Sequence, residues 1–242
     1  MIKKTNDIHS NSKISEEIIN NPFLMLLLQH FQITVPVQDL KVSQLCKLYN
    51  INETLFIAFA RLYNGSTAIP ELKLDHNEAL TIVDFLRTSH RFYSEQIYPE
   101  IMELIDEMKQ LNSYKEMKLV SVFFSNYFQE VTDHLDYEND VFHPYVIDLV
   151  NQLNNRKRTE NKEIYSTLNY KDHHDDIEEK LTDLKNLLVK YLPLQKDQVV
   201  RRKLLFLLSE LEFDLKIHTD IEELILIPFT MRLEEKLKLI EK

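Results

Sequence analysis

Two copies of one short pattern of potential metal ligands lie 84 residues apart in this chain. Each copy holds a histidine, a glutamate and a proline: His134, Glu138 and Pro144 in the first, and His218, Glu222 and Pro228 in the second. A glutamate four residues after a histidine lies one turn further along a helix, so both side chains can point at one metal site. Imidazole and carboxylate ligands together suit iron or manganese, and zinc is also compatible with them.

A further histidine precedes each copy by 44 residues: His90 for the first and His174 for the second. We interpret this as a duplicated helical hairpin that carries two symmetric sets of ligands. Four histidines and two glutamates are too many for one tetrahedral zinc ion, but they suit two iron ions. Glu138 and Glu222 would then bridge the ions, and oxo, hydroxo or water ligands would complete the coordination.

Helices are the elements that must position these residues. The chain has one glycine in 242 residues, whereas the turns and bulges of a sheet usually draw on glycine. Leu, Glu, Lys and Ile recur instead at helical spacing, which predicts an all-α fold. Four long helices are expected, at about 77–111, 114–153, 163–192 and 198 to the end. The short breaks between them predict an antiparallel up-down four-helix bundle.

The four histidines should reach one height in that bundle, because residues equally far from the turn of an antiparallel hairpin lie side by side. The midpoints between successive histidines are residues 112, 154 and 196, which fall in the three predicted breaks. Apolar residues three and four positions away place the histidines and glutamates on the inward faces. Buried charge at that density is costly unless a cation compensates it.

The domain organisation follows from the same reading. We expect a disordered tail at 1–13, a small helical N-terminal domain at 14–66, and the bundle at 74–242. Within the small domain, helices are predicted at 42–49 and 53–63, with Asn52 as the N-cap of the second. Cys46 lies in this domain and is interpreted either as a buried apolar residue or as a functional thiol.

Composition narrows the classes of partner. A net charge of -10 argues against nucleic-acid binding, which depends on neutralising phosphates. The longest uncharged apolar run, Phe23–Leu28, is far shorter than the roughly 20 residues of a membrane span. The first residues contain no apolar signal segment, and the single cysteine excludes an internal disulfide. These features predict a cytoplasmic protein with no membrane partner.

Three further residues are candidates for supporting the metal ligands. Glu130 and Asp214 each precede a ligand histidine by four residues. They could orient the imidazoles or guide iron, or they could be solvated helix charges. Tyr127 lies two turns before His134 and could border the metal pocket or pack in the core.

The chain from about Leu74 to Lys242 resembles a hemerythrin-like domain of the HHE cation-binding type. More narrowly, it is similar to the di-iron Repair of Iron Centers proteins, also described as regulators of cell morphogenesis and nitric oxide signalling. The matching stretches are Leu86–Tyr93, His134–Glu138 leading to Pro144, His173–Ile177, and His218–Glu222 leading to Pro228. The resemblance implies that His90, His134, Glu138, His174, His218 and Glu222 hold a non-haem di-iron centre.

The resemblance also implies a function. It suggests a protein for defence against nitrosative and oxidative stress that repairs damaged iron–sulfur clusters, with iron–sulfur proteins as its clients. One alternative is a protein that binds or senses oxygen or nitric oxide without catalysis and signals through residues 14–64. Another is a true enzyme that reduces nitric oxide or peroxide. The small N-terminal domain of the family typically carries adjacent cysteines, and here only Cys46 is present.

Overall fold

The fold is described by a computed structural model that covers residues 7–67, 69–112, 116–155, 166–167, 179–193 and 196–240. Within these ranges the regular secondary structure is helical, apart from one isolated antiparallel bridge between Lys13 and Lys41. The prediction of an all-α fold is therefore confirmed for the described residues. None of the helices described has the length and apolar character needed to cross a membrane.

Four short helices form the N-terminal part: α1 (Ile14–Asn20), α2 (Leu24–His30), α3 (Val42–Tyr49) and α4 (Glu53–Tyr63). The last two have the predicted bounds. The Asn52 side chain accepts a hydrogen bond from the Leu55 backbone N–H at 3.2 Å, which confirms Asn52 as the N-cap of α4. Asn50 directly follows the end of α3. It takes a left-handed conformation with φ of 53°, which asparagine tolerates well.

The long helices contain π-helical segments that the sequence analysis did not foresee. The first long helix comprises α5 (Glu78–Phe92), π1 (Tyr93–Ile97) and α6 (Tyr98–Leu111). The second comprises α7 (Glu116–Tyr137), π2 (Glu138–Phe142) and α8 (His143–Asn155). The described part of the third comprises α9 (Glu179–Asn186) and π3 (Leu187–Tyr191). The fourth comprises α10 (Gln198–Ile221), π4 (Glu222–Leu226) and α11 (Ile227–Ile240).

Proline explains where these π segments lie. One residue separates the end of each segment from a proline: Pro99, Pro144, Pro193 and Pro228. A proline inside a helix has no N–H to donate, and its ring collides with the carbonyl four residues earlier. At Pro99, Pro144 and Pro228, which lie inside helices, a π segment widens the helix by one residue and relieves that collision. Pro193 instead follows the end of its helix.

The described residues divide into two compact units. One consists of residues 1–88, 143–169 and 217–242, and the other of residues 89–142 and 170–216. The helices α5 and α10 each contribute residues to both units. The predicted division into a domain at 14–66 and a bundle at 74–242 stays a prediction.

The second unit has one continuous hydrophobic core, to which all four long helices contribute. Its members include Ile101, Ile105 and Met108 from α6, Val120, Phe124 and Val131 from α7, Leu181 and Leu184 from α9, and Leu204, Leu208 and Leu211 from α10. These side chains recur at intervals of three and four residues, so each helix turns one apolar face to this core. Burying each such side chain contributes about 1.5–3 kcal/mol.

A buried arginine closes the C-terminal end of the third long helix. The Arg201 guanidinium donates to the carbonyls of Leu188, Leu192 and Pro193 at 2.8–2.9 Å. It also donates to the buried carboxylate of Asp197 at 2.6 Å and 2.9 Å. These bonds satisfy carbonyls that have no partner within their own helix.

Residues 7–13 belong to the first unit and are packed, which corrects the prediction of a disordered tail over 1–13. Ile8 is buried, and the Asp7 carboxylate lies 2.8 Å from Arg61 Nε. The Val42 backbone N–H donates to the Ser12 carbonyl at 3.0 Å. Apolar burial and these bonds hold a segment whose polar composition alone indicated fraying. Residues 1–6 lie outside the described residues.

Candidate metal centre

The duplicated pattern is preserved in the local structure of the helices. His134 lies in the last turn of α7 and His218 in the last turn of α10. A π segment begins at the glutamate of each copy, at Glu138 in one and at Glu222 in the other. In both copies the histidine lies one helical turn before the glutamate, and the glutamate is the first residue of the π segment.

Glu138 has a fully buried side chain, and its two carboxylate oxygens face two different histidines. Oε1 lies 2.9 Å from His134 Nε2, and Oε2 lies 3.2 Å from His90 Nε2. The His90 side chain is 4% exposed and that of His134 is 11% exposed. A carboxylate placed in this way can give one oxygen to each of two cations.

Asn139 holds the other nitrogen of His90. Its Oδ1 lies 3.1 Å from His90 Nδ1. An amide oxygen only accepts hydrogen bonds, so Nδ1 is the donor in this contact, and a neutral ring would then keep its lone pair on Nε2. Such an orienting bond is typical of histidines that ligate metals. The sequence analysis missed Asn139, because its role depends on a contact with a residue 49 positions away.

The second copy has similar geometry around Glu222. His218 Nε2 lies 3.5 Å from Glu222 Oε2, and both side chains are buried. One ligand atom from each of His90, Glu138 and His218 lies within 4.8 Å of the other two. This buried group of two imidazoles and one carboxylate could hold a metal ion.

The predicted ligand set is thus described in five of its six members. His90, Glu138 and His218 come together as one group, His134 lies beside Glu138, and Glu222 lies beside His218. His174 lies outside the described residues, and its place in the site stays a prediction.

The residues present fit a cation. His90 Nε2 faces Glu138 Oε2 across 3.2 Å, and the other ring nitrogen contacts Asn139 Oδ1. An imidazole nitrogen and a carboxylate oxygen at that separation require a proton or a metal cation between them. A fully buried carboxylate is also costly without a compensating charge. Nitrogen and oxygen donors of this kind suit iron, manganese or zinc.

Glu130 and Asp214 occupy equivalent positions in the duplicated pattern but differ in their surroundings. The side chain of Glu130 is 54% exposed and forms an ion pair with Lys180, which favours the second of its two interpretations, that of a solvated helix charge. Asp214 is buried, which leaves its predicted role open. The two side chains therefore differ in exposure, although both lie four residues before a ligand histidine.

Tyr127 lies in an aromatic cluster of the core. Its ring centroid is 6.3 Å from that of Tyr98 and 5.9 Å from that of Phe124. Burial raises the pKa of the Tyr98 hydroxyl well above its usual range. Packing in the core, one of the two interpretations of Tyr127, is therefore observed.

Cys46 is 2% exposed. Burial raises the pKa of its thiol to about 12, and the nearby charge of Glu53 adds to that effect. A thiol in this state is protonated near neutral pH and is a poor nucleophile or metal ligand. The structure thus favours the buried apolar interpretation of Cys46.

Two histidines outside the duplicated pattern, His30 and His143, are buried. His30 packs edge-on against the ring of Phe85, with centroids 5.3 Å apart. His143 directly follows π2 and is fully buried. The extra residue of the π segment rotates the following helix, and this rotation turns His143 inward.

Comparison of the chain with family models, curated proteins and solved structures finds no match. The resemblance to hemerythrin-like proteins therefore rests on the residues quoted for it.

Proposed function

We propose that this chain holds a dinuclear non-haem iron centre in an antiparallel four-helix bundle of the hemerythrin-like type. The observation that carries the proposal is the placement of Glu138, whose two oxygens face His134 and His90. A carboxylate that bridges two ions needs this orientation. The 84-residue repeat assigns the matching role to Glu222, with His218 and His174 as its partners.

Each residue has a defined task in this proposal. Glu138 and Glu222 would hold the ions with buried negative charge, and the histidines would supply nitrogen donors. Asn139 keeps the proton of His90 on Nδ1, so that Nε2 can bind metal. The burial of His90, Glu138, His218 and Glu222 keeps bulk water from competing for the ligands. When bound, iron supplies open coordination positions for small molecules and an ion that can be handed on.

We further propose that the protein acts in the cytoplasm in the repair of iron–sulfur clusters damaged by nitric oxide or oxidants. The family resemblance supports this role, and iron–sulfur proteins would be its clients. Six protein ligands would not fill the coordination of two ions, which is compatible with the release of iron.

The rival candidate is an oxygen or nitric oxide binding protein without catalysis. Cys46 favours it, because a buried thiol with a pKa of about 12 gives the N-terminal helices no thiol chemistry for passing iron on. Such a protein would bind the diatomic ligand reversibly and would not restore activity to a damaged cluster.

Reactivation of a nitric-oxide-damaged iron–sulfur enzyme tests the repair proposal. The iron-loaded parent should restore activity, and Glu138→Leu should not, since it removes the bridging carboxylate but keeps an apolar side chain of similar size. Glu130→Leu is the matched control on the same helix and should behave as the parent. Equal repair by Glu138→Leu would exclude this site as the agent of repair. Reversible binding of nitric oxide by a parent that repairs nothing would favour the rival.

A further inference from the structure

The two glutamates of the candidate site share a relationship with proline. Glu138 is the first residue of π2, and Pro144 lies six residues later. Glu222 is the first residue of π4, and Pro228 also lies six residues later. Both prolines lie inside helices that continue beyond them, as the second residue of α8 and of α11.

The π segment adds one residue to the helix and starts at the motif glutamate. It spans Glu138–Phe142, and the buried residues Phe142, His143 and Val146 follow Glu138 in the next turns. The extra residue therefore lies between Glu138 and Phe142.

The location of this extra residue decides where Glu138 points. Each residue of an α-helix turns the chain by about 100°, given 3.6 residues per turn. If the extra residue moved upstream of Glu138, the helices on either side could keep their packing, but the carboxylate would turn away from His90 by about that angle. The same argument applies to Glu222 and His218.

Proline prevents that movement. Pro144 and Pro228 cannot donate a backbone hydrogen bond, and their rings exclude a carbonyl at the normal helical position four residues earlier, at Asp140 and Leu224. The backbone N–H of Ile227, the residue before Pro228, accordingly bonds to the Glu222 carbonyl five residues back. We propose that Pro144 and Pro228 are positioning residues, which fix the π segments directly after the two glutamates and so hold both carboxylates on the metal.

This inference rests on the proposed metal centre, and cobalt(II) is a suitable probe for testing both. The visible absorption of bound Co²⁺ reports coordination, and calorimetry gives its affinity. Pro144→Ala and Pro228→Ala should each weaken Co²⁺ binding by about tenfold or more, the size of effect expected when a ligand loses its support, and should change the spectrum. Pro193→Ala is the matched control, since Pro193 follows a π segment that contains none of the proposed ligands; its Co²⁺ binding should equal that of the parent.

A deletion distinguishes positioning from a general effect on stability. Deleting the partly exposed Val141 from Pro144→Ala removes the extra residue and leaves Glu138 and the downstream core in plain α-helical register. Co²⁺ affinity and spectrum should then return toward those of the parent, whatever the melting temperature of the metal-free protein. Unchanged binding in Pro144→Ala, an equal loss in Pro193→Ala, or no recovery on deletion would overturn the inference. No Co²⁺ binding by the parent would instead overturn the proposed centre itself.

Discussion

Glu138 Oε2 lies 3.2 Å from His90 Nε2, although the two residues belong to different helices and are 48 positions apart in the sequence. The opposite nitrogen of His90 is held by Asn139, the neighbour of Glu138. Two consecutive residues of π2 thus contact the two nitrogens of one imidazole. With Nδ1 as the donor to Asn139, Nε2 of a neutral His90 would face the carboxylate, as a shared cation requires.

Substitution of Asn139 should weaken metal binding with little effect on the fold. Asn139→Leu removes the acceptor for His90 Nδ1, so the ring can rotate or place its proton on Nε2. We expect a loss of 10–100-fold in Mn²⁺ or Co²⁺ affinity, the range found when such supporting bonds are lost. Asn139→Asp keeps an acceptor at this position and should retain binding. Equal affinities for the parent and Asn139→Leu would show that this bond does not orient the ligand.

Metal should stabilise the folded protein. Its removal leaves imidazoles and two fully buried carboxylates in the interior without their cation, which is unfavourable. At a free metal concentration 100 times the dissociation constant, linkage predicts about 2.7 kcal/mol of added stability. Thermal melting with and without metal measures the difference, and Glu138→Leu should lose most of it. A melting temperature that metal does not change would contradict a buried site.

Arg201 should be important for stability and irrelevant to metal binding. Arg201→Met removes the ion pair with the buried Asp197 and the donors to three helix-end carbonyls. Breaking a buried pair of this kind costs about 3–5 kcal/mol. The neighbouring Arg202 is exposed, and Arg202→Met should change stability by less than about 0.5 kcal/mol. Urea unfolding of the two variants tests this, and similar midpoints would contradict the assigned role.

Cys46 should make stability fall at alkaline pH. The pKa of its thiol is about 12 in the folded protein and about 8.5 in an unfolded chain. Between these values the folded state holds more protons than the unfolded state, so stability decreases as pH rises. Other groups titrate in the same range, so the informative quantity is the difference from Cys46→Ala, which should lose less stability between pH 8.5 and pH 10.

The folded parent should also react slowly with iodoacetamide at pH 8. Rapid alkylation without unfolding would show that the thiol is accessible.

Sequence periodicity predicted the helices well where local signals mark their ends. The bounds of α3 and α4 were correct, because Asn52 caps the second helix. The fourth long helix was predicted from residue 198 and begins there. The π segments were missed, because the spacing of apolar residues was read with a single helical period. The prolines that explain π2 and π4 are visible in the sequence: Pro144 and Pro228 lie six residues after Glu138 and Glu222.

For the candidate site, the sequence could predict only the pairs of residues that lie on the same helix. The histidine and glutamate of each copy share a helical turn, so their spacing was sufficient to pair them. Asn139 could not be found in this way, because it acts on a histidine from another helix. The burial of His143 and the exposure of Glu130 likewise depend on helix rotation and packing, which spacing alone does not specify.

The metal content of the purified protein tests the central claim most directly. Protein from iron-replete cells should contain about two iron ions per chain, as expected for a site with bridging carboxylates, together with the visible absorption of an oxo-bridged pair. Glu138→Leu should lose this iron, whereas Glu130→Leu should retain it. A single tightly held zinc ion without that absorption, or a parent protein that binds no metal, would contradict the account.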